Sequence, residues 1–450
     1  MRRKIYEKLL KWKNESAGKT CLLVEGARRI GKSYIVEEFA KREYSSYILI
    51  DFYKADEDVK SLFMNNLNDL DSFFMFLSAI YNKKLYKNES LIIFDEVQFC
   101  PQARAAIKYL VADGRYHFIE TGSLLSIKEN TENIMIPSEE RHLKMYPMDF
   151  EEFLWAGNEE LLLEVIRNNY KNKTKMGNAL HRKAMTLFRE YLLVGGMPQA
   201  VEEYINTRNF EIVDSIKRDI LNLYREDMLK HCRQFKYKVE AIYDEIPDQL
   251  SKHEKKFMLS SLRKGAKFRD YEDAFMWLSD SMIVNICYNS SEPSVGLKIN
   301  RDRTTMKIYM GDTGLLISHA FDESSTAFSD IYKKLLLGKL EVNEGMIFEN
   351  IVAQMLVANG HKLYFYSNSS RTDSGSRMEI DFLVSKGRIS NNHNVSAIEV
   401  KSGKNYTLNS LNKFSYKYEK QLDKRIVLHT SDFEEKDNTL FLPVYMAIML

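Results

Sequence analysis

Eight residues near the amino terminus have types and a spacing that suit phosphate binding. Residues 26–33 read GARRIGKS and fit the pattern GxxxxGK[ST] without a mismatch. Gly26 and Gly31 would let the backbone curl so that its N–H groups face phosphate oxygens beside a helix amino terminus. Lys32 would place its charge on the β- and γ-phosphates, and the Ser33 hydroxyl would ligate Mg²⁺. The pattern predicts a site for ATP and Mg²⁺.

The sequence on both sides of the loop supports this interpretation. An apolar run, CLLV, enters the loop and a helical pattern, SYIVEEFAKRE, leaves it. A chance match in a turn before a helix is the alternative, and the strand–loop–helix context argues against it. The predicted nucleotide-binding residues are Gly26, Ala27, Arg28, Arg29, Ile30, Gly31, Lys32, Ser33 and Tyr34.

Two adjacent acids end the apolar run LIIF at 91–94. Asp95 is expected to hold Mg²⁺ through water, and Glu96 to polarise the water that attacks the γ-phosphate. Two neighbouring carboxylates at the end of a buried strand would be costly without such a cation. An exposed acidic turn is the alternative, and it fits poorly beside a phosphate-binding loop. A further strand, YHFIE, ends in Thr121-Gly122-Ser123, where either hydroxyl can serve as a sensor of the γ-phosphate or the water.

A second set of charged residues lies in the last hundred residues of the chain. Asp381 lies in the strand pattern MEIDFLV, Glu399 and Lys401 lie in AIEVK, and Glu349 lies on a helix upstream. Because strand side chains alternate, Glu399 and Lys401 point to one face. Carboxylates and a lysine that converge at a sheet edge can hold Mg²⁺ for phosphodiester cleavage, as in restriction-endonuclease-like domains. The alternatives are a cross-strand ion pair on a solvated face and a site that binds without cleaving.

The elements that must position these residues change along the chain. Apolar runs at 20–24, 46–51, 91–95 and 116–121 alternate with helical patterns, which predicts a parallel sheet covered on both faces. From 149 to about 236 the apolar period is helical, with a break at Gly195-Gly196-Met197-Pro198. Short helical stretches and two strand-like runs between about 239 and 315 suggest a winged helix. Another helix and several strands follow from about 344.

Composition limits the class of protein. The chain has 450 residues, of which 44% are hydrophobic and 28% charged, as in soluble globular proteins. It has no apolar run near the roughly 18 residues that span a bilayer, and its basic start lacks the features of a signal peptide. We therefore expect a cytoplasmic protein without a membrane partner. The four cysteines lack metal-site spacing, and Cys21 and Cys287 are expected in the core.

Taken together, these motifs resemble bacterial and archaeal AAA ATPases that carry a C-terminal domain of unknown function. The resemblance runs almost end to end through GARRIGKS, LIIFDEVQ, the TGS turn, YLLVGGMPQAV, KIYMGDTGLL, FENIVAQML and EIDFLV…IEVKSG. It implies an α/β protein with four parts. These are a P-loop AAA-type ATPase domain at 1–150, a helical segment at 151–238, a winged-helix-like domain at 239–335 and a nuclease-like domain at 336–450. It also implies that the ATP-site roles fall on Lys32, Ser33, Asp95 and Glu96.

The chain departs from that group at two positions in the ATPase region. Glu140 precedes Arg141 where Gly-Arg is usual, and Arg29 stands where Gln is usual. Arg141 is expected to be an ordinary surface arginine, with an arginine finger as the alternative. The resemblance also implies that Asp312-Thr313-Gly314 is a structural turn.

Three outputs of the ATP site are consistent with the sequence. Hydrolysis can drive or gate a nuclease-like domain on DNA or RNA, control a domain that binds DNA or a protein without cutting, or act on proteins alone. The formal charge of only +2 weakens the nucleic-acid alternatives, although Lys/Arg clusters at 2–19, 171–175 and 252–267 can contact phosphates.

Overall fold

The structure is a computed structural model, and it describes residues 1–122, 137–232, 235–252, 254–294, 296–321, 325–339, 344–368, 376–385, 393–403 and 405–450. The chain divides into two compact units. Met1–Tyr146 forms the N-terminal unit and Pro147–Leu450 forms the C-terminal unit.

The N-terminal unit is built on a parallel sheet. Its strands are β1 (Cys21–Glu25), β2 (Ser46–Asp51), β3 (Ser90–Asp95), β4 (His117–Gly122) and β5 (Glu140–Lys144). They lie in the order β2-β3-β4-β1-β5, and every pairing is parallel. The helices are α1 (Ile5–Glu15), α2 (Lys32–Glu43), α3 (Glu57–Asn65), α4 (Leu70–Tyr81) and α5 (Pro101–Asp113), with a short 3₁₀ helix at Val97–Phe99. The predicted parallel sheet is confirmed.

Burial explains the apolar runs CLLV in β1 and LIIF in β3. All residues of β1, β3 and β4 are buried, as expected for parallel strands that helices cover on both faces. One face packs on α5, and on this face the ring of Phe94 in β3 meets the rings of Phe52 and Phe63 edge to face. The sheet is therefore a rigid base for the loops at its carboxyl edge.

The C-terminal unit begins with helices only. They are α6 (Phe150–Ala156), α7 (Glu160–Asn172), α8 (Asn178–Val194), α9 (Pro198–Thr207) and α10 (Phe210–His231). Asp149 and Glu152 start α6 with a reciprocal capping box. The predicted break at 195–198 falls between α8 and α9. There the Gly196 N–H donates to Asp312 Oδ2 at 2.6 Å, and Asp312 Oδ1 accepts from the Leu315 N–H at 2.9 Å. The Asp312 turn therefore caps a helix and fixes this break.

The rest of the C-terminal unit combines helices with a mixed sheet. The helices are α11 (Lys236–Ser251), α12 (Leu259–Leu262), α13 (Glu272–Asp280), α14 (Thr313–Ala320), α15 (Ser325–Leu336), α16 (Glu344–Ala358) and α17 (Asn409–Lys417), with 3₁₀ helices at Phe268–Asp270 and Val444–Met449. The strands are β6 (Val284–Ser290), β7 (Arg301–Met310), β8 (Tyr364–Asn368), β9 (Met378–Ser385), β10 (Val395–Val400), β11 (Leu422–His429), β12 (Glu434–Lys436) and β13 (Thr439–Pro443).

These eight strands form one sheet in the order β12-β13-β11-β10-β9-β8-β6-β7. The hairpin β6–β7, which the sequence suggested for a winged helix, pairs through β6 with β8. It thus shares a sheet with the strands that carry Asp381 and Glu399. The physical consequence is that residues of β7 can reach the C-terminal charged site. The boundaries at 238/239 and 335/336 stay predictions.

Within the described residues, no helix is long and apolar enough to cross a membrane. Cys21, Cys100, Cys232 and Cys287 are all buried, which agrees with the core placement expected for Cys21 and Cys287.

Candidate functional site

The loop that follows β1 has the backbone needed to surround a phosphate. Gly31 has a φ of 87° and directly precedes α2, and Arg29 also has a positive φ of 67°. A Cβ at Gly26 would collide with the Ile30 side chain and lie 2.5 Å from the Met145 carbonyl oxygen. Glycine is therefore required at position 26 for space and favoured at position 31 for conformation.

Lys32 lies inside this loop. Its side chain is buried, and its Nζ donates to the carbonyl oxygens of Gly26 at 3.1 Å and Ala27 at 3.0 Å. The loop carbonyls thus hold the ammonium inside the loop that would surround the phosphates of a nucleotide. An ammonium in this position supplies the charge that phosphate binding needs.

Ser33, Asp95 and Thr121 form one hydrogen-bonded group. The Ser33 hydroxyl donates to Asp95 Oδ1 at 2.7 Å, and the Thr121 hydroxyl donates to the same oxygen. The strand order explains this meeting, since β4 lies between β1 and β3 and ends beside Asp95. Thr121, predicted as a sensor, therefore lies between the phosphate-binding loop and the acid.

Glu96 follows Asp95 and has a positive φ of 53°. Its backbone N–H donates to Thr121 Oγ1 at 3.4 Å, and its carboxylate accepts from the Gln98 side-chain amide. Glu96 is half-buried, whereas Gln98 is buried. The carboxylate proposed as general base is thus restrained by a neighbour that the sequence prediction did not include.

The other predicted nucleotide-binding residues differ in exposure. Ala27 and Ile30 are buried, whereas Arg28, Arg29 and Tyr34 are exposed. Tyr34 lines a cavity of about 420 Å³ between α1 and α2. Ser123, the other predicted sensor, lies outside the described residues.

Arg3 is a residue of this site that the sequence did not reveal. Its guanidinium is buried and donates to the Ile30 carbonyl at 2.9 Å and to the Tyr146 carbonyl at 2.7 Å. It therefore ties the phosphate-binding loop to the end of the unit. Nothing in a lone arginine near the amino terminus indicates this role, because it depends on how α1 packs.

The structure accounts for the departure at Glu140 and locates Arg141. The Glu140 carboxylate is buried and accepts two hydrogen bonds from Arg104, at 2.9 and 2.7 Å. Burial, with the nearby Glu140, raises the pKa of Glu120 well above its usual range. Arg141 pairs with Leu22 near the start of β1 and donates to the Ser16 hydroxyl at 2.7 Å. In its own unit, Arg141 lies at the sheet end opposite the phosphate-binding loop.

Ser33 and Asp95 fit a magnesium ion. A hydroxyl and a carboxylate oxygen within 2.7 Å of each other are the hard ligands that Mg²⁺ takes together with phosphate oxygens and water. Both side chains lie at the carboxyl edge of the sheet next to the loop, and magnesium binding there stays a prediction.

The C-terminal unit brings together the predicted Glu349, Asp381, Glu399 and Lys401. They line a cleft of about 610 Å³ with Glu379 and other residues. The Val400 N–H donates to Asp381 Oδ2 at 2.9 Å, and Lys401 Nζ lies 2.7 Å from Glu399 Oε2. Burial raises the pKa of Glu399, although Lys401 opposes it. The sequence prediction that these residues converge agrees with this arrangement.

Two lysines that the sequence did not point to also belong to this site. Lys307, from β7, lies 2.8 Å from Glu379 Oε1, 3.6 Å from Glu349 Oε2 and 3.8 Å from Asp381 Oδ1. Lys255 pairs with the other oxygen of Glu349. The Tyr309 hydroxyl also donates to Glu349 Oε2, at 3.0 Å.

The pKa values of the two central acids move in opposite directions. Burial acts to raise the pKa of Glu349, but Lys255 and Lys307 outweigh it and lower the pKa to about 2. Burial, followed by the charge of Glu349, raises the pKa of Asp381 to about 7. Glu349 is therefore the charged partner of the lysines.

This site does not fit the predicted metal. Lysine ammonium groups already contact the carboxylates that would be metal ligands, at the distances given above. Among the residues that the structure describes, no group of three or more His, Cys, Asp or Glu side chains is arranged to hold a metal ion. The contacts of these carboxylates with lysine therefore give no support to metal-dependent cleavage in this cleft.

Comparisons with protein families match three successive segments of the chain. A model of an AAA domain matches residues 18–154, which contain every predicted ATP-site residue. A domain of unknown function (DUF8612) matches residues 185–326, and another domain of unknown function (DUF4143) matches residues 344–447. Together with the loop and the parallel sheet, the first match supports a P-loop ATPase of the AAA class.

Individual relatives add little detail. The uncharacterized protein MJ1637 of Methanocaldococcus jannaschii is 28% identical over 133 residues, which cover 28% of this chain and only 28% of that relative's length. The Walker-type ATPase PABY2304 of Pyrococcus abyssi has a TM-score of 0.43 and 15% identity, over 71% of this chain and 95% of that one. PCH-2 of C. elegans has a TM-score of 0.24 and 12% identity, over 46% of this chain and 60% of that one.

Proposed function

We propose that the N-terminal unit hydrolyses ATP with Mg²⁺ and that its nucleotide state controls a C-terminal unit that binds its target without cutting it. The observation that carries the first part is the hydrogen-bonded group of Ser33, Asp95 and Thr121 next to the phosphate-binding loop. Phosphoryl transfer depends mainly on positioning and charge, and this group offers both.

Binding of ATP falls to the loop. Its backbone N–H groups and the amino terminus of α2 bind phosphate oxygens. Lys32 exchanges its contacts with Gly26 and Ala27 for the β- and γ-phosphates. Ser33 and Asp95 would hold Mg²⁺, which neutralises phosphate charge when bound. The exposed Tyr34 lies next to Ser33 and borders the nucleotide.

Activation of water falls to Glu96. Its carboxylate orients the attacking water and accepts its proton. Two neighbours position Glu96. The Gln98 amide donates to its carboxylate, and the Thr121 hydroxyl accepts from its backbone N–H. Thr121 acts as a positioning residue in this proposal because it contacts both Asp95 and Glu96. Ser123 keeps its predicted role as the alternative sensor.

The second part of the proposal concerns what the C-terminal unit does when ATP is hydrolysed. The element order α16-β8-β9-β10-α17-β11, with Asp381 on β9 and Glu399 on β10, supports a restriction-endonuclease-like architecture. The lysines that contact Glu349 and Asp381 favour binding over cleavage. We therefore favour an ATP-controlled switch, with a nuclease as the second candidate.

The chemistry of α13 bears on the target. In a winged helix, the third helix would enter the major groove of a duplex. The α13 sequence EDAFMWLSD carries Glu272, Asp273 and Asp280 and no Lys or Arg. Because these acids would repel phosphates, α13 disfavours duplex binding through this helix, and a protein partner or single-stranded nucleic acid remains compatible with it.

The first test is ATP turnover by the purified full chain with Mg²⁺, alone and with duplex or single-stranded DNA. Glu96→Gln serves as the blank, because it should bind ATP without turning it over, and Lys32→Ala should not bind ATP. Wild-type turnover in Glu96→Gln would contradict the assignment of the base. Stimulation by DNA identifies nucleic acid as the target, and indifference to DNA favours a protein.

Cleavage of end-labelled DNA or RNA in the presence of ATP and Mg²⁺ separates the two candidate outputs. We expect intact nucleic acid. Cleavage that is lost in Asp381→Ala while ATP affinity is retained would establish the nuclease instead.

A further inference from the structure

A buried lysine from another part of the unit contacts three of the acids that line the C-terminal cleft. Lys307 is only 1% exposed, and its ammonium lies within 4 Å of one oxygen each from Glu349, Glu379 and Asp381. These three carboxylates come from α16 and β9. The Lys307 ammonium is thus surrounded by three carboxylate oxygens, which is the kind of ligand set that binds a divalent metal ion.

We propose that Lys307 takes the place of a divalent cation in this cleft, so that the site is complete without metal. This deepens the proposed non-cleaving output, and it concerns only the C-terminal unit. The proposal contradicts the sequence prediction of a Mg²⁺ site at Glu349, Asp381 and Glu399.

Charge balance supports the proposal. A metal would add two positive charges to a site in which each acid already has a lysine nearby. Lys256 lies 3.9 Å from Glu379, and Lys401 lies 2.7 Å from Glu399. The lysines of the cluster are Lys255, Lys256, Lys307 and Lys401, and the acids are Glu349, Glu379, Asp381 and Glu399.

Both oxygens of each of the two central acids, Glu349 and Asp381, already have a contact, whereas Glu399 Oε1 is buried without a hydrogen-bond partner. One Glu349 oxygen pairs with Lys255, and the other accepts from Tyr309 and contacts Lys307. One Asp381 oxygen accepts from the Val400 N–H, and the other faces Lys307. A cation at the position of the Lys307 ammonium would have to displace it to contact both acids.

Displacement of Lys307 is itself unfavourable. The side chain projects from β7 and passes over the Phe365 ring, with Nζ 5.2 Å from the ring centroid. Burial alone would lower the pKa of Lys307, but Glu349, Glu379 and Asp381 outweigh it and raise the pKa, so the ammonium stays charged. Removing one member of a buried ion cluster leaves the others uncompensated.

The test is Mn²⁺ binding by the full chain, measured without nucleotide by the loss of the free Mn²⁺ EPR signal. All proteins carry Asp95→Asn, which removes the carboxylate of the ATP site. We expect no bound Mn²⁺ at concentrations up to about 1 mM, a range in which weak carboxylate sites bind divalent ions. In Lys307→Met we expect one Mn²⁺ per chain, and in Lys307→Met combined with Asp381→Asn we expect none. Lys252→Met, which changes an exposed lysine of the same cleft that pairs with Asp248, should bind none.

Two results would overturn the proposal. One is a Mn²⁺ ion bound by the Asp95→Asn protein and lost when Asp381→Asn is added. This comparison needs no change at Lys307 and so stands even if Lys307→Met does not fold. The other is a folded Lys307→Met protein that binds no Mn²⁺. Because no nucleotide is present, neither result depends on whether the chain hydrolyses ATP.

Discussion

The Ser33 hydroxyl, in the first turn of α2, donates a hydrogen bond of 2.7 Å to the carboxylate of Asp95, at the end of β3. The two residues are 62 positions apart in the chain. Their contact joins the phosphate-binding loop to the acid that the sequence assigned to Mg²⁺. Predictions for the ATP site start from this pair.

Loss of the Ser33 hydroxyl should weaken the response to Mg²⁺. In Ser33→Ala we expect the Mg²⁺ concentration for half-maximal ATP turnover to rise by about 10–100-fold, the usual range when one oxygen near a metal is removed. Ser33→Thr keeps the hydroxyl and is the matched control. An unchanged Mg²⁺ dependence in Ser33→Ala would mean that the Ser33 hydroxyl only holds the Asp95 carboxylate in place.

Thr121 should affect turnover more than binding. Thr121→Val keeps the shape of the side chain but removes the donor to Asp95 and the acceptor for the Glu96 N–H. We expect kcat to fall about 10–100-fold while KM for ATP changes little. Thr121→Ser should restore most of the rate, because it restores the hydroxyl. A parallel loss of ATP affinity would instead indicate that the loop itself is disturbed.

Arg3 should stabilise the phosphate-binding loop from outside the motif. Arg3→Met leaves the buried carbonyls of Ile30 and Tyr146 without this donor, at a cost of about 1–3 kcal/mol. We expect weaker binding of a fluorescent ATP analogue together with a lower unfolding temperature. Arg2→Met, at an exposed neighbouring position, is the control. Equal effects of the two substitutions would argue against a specific role for Arg3.

Asp381 should make the C-terminal unit less stable as the pH rises. Its pKa is raised from 3.8 to about 7, first by burial and then by Glu349. The native state therefore binds the proton more tightly than the unfolded chain. The stability that this proton contributes is complete below about pH 4 and is lost as the pH rises through 7.

Asp381→Asn, which keeps an acceptor for the Val400 N–H, removes this dependence. As the pH rises from 5 to 8, the free energy of unfolding of Asp381→Asn should increase by about 1–3 kcal/mol relative to that of the wild type. Urea unfolding followed by Trp fluorescence measures it, since Trp155 and Trp277 lie in this unit. Asp437→Asn, at an exposed position, is the control. A difference that is constant with pH would contradict the prediction.

Lys217 should be essential to the helical part of the C-terminal unit. Its buried Nζ donates to the Leu193 carbonyl at 2.6 Å, the Tyr332 hydroxyl at 2.7 Å and the Gly314 carbonyl at 3.3 Å. We expect Lys217→Met to lower the free energy of unfolding by about 2–5 kcal/mol, because several buried polar groups lose their partner. Lys230→Met, exposed on the same helix, should change it by less than about 0.5 kcal/mol. Similar losses in both variants would count against this role.

Local patterns in the sequence were enough to locate the phosphate-binding loop and the acids beside it, but not Arg3 or Gln98. The loop at 26–33 and the acids at 95 and 96 lie within short segments whose types and spacing reflect the phosphate chemistry itself. The strand at 91–95 was also readable, because parallel strands buried on both faces are continuously apolar. The strands β5, β12 and β13 were not included among the predicted strands. β5 has the polar sequence ERHLK, and β12 has only three residues.

The sequence by itself determined the phosphate-binding loop, the acids of the ATP site and the set of C-terminal carboxylates, because each depends on residue types at short separations. Only the tertiary structure decided what surrounds them. Arg3 reaches Ile30 through the packing of α1, and Lys307 reaches Glu349 and Asp381 because the β6–β7 hairpin joins the C-terminal sheet. Such contacts join segments that are distant along the chain, so no local pattern records them. For the C-terminal cleft, that long-range contact changes the predicted metal site into a site balanced by lysine.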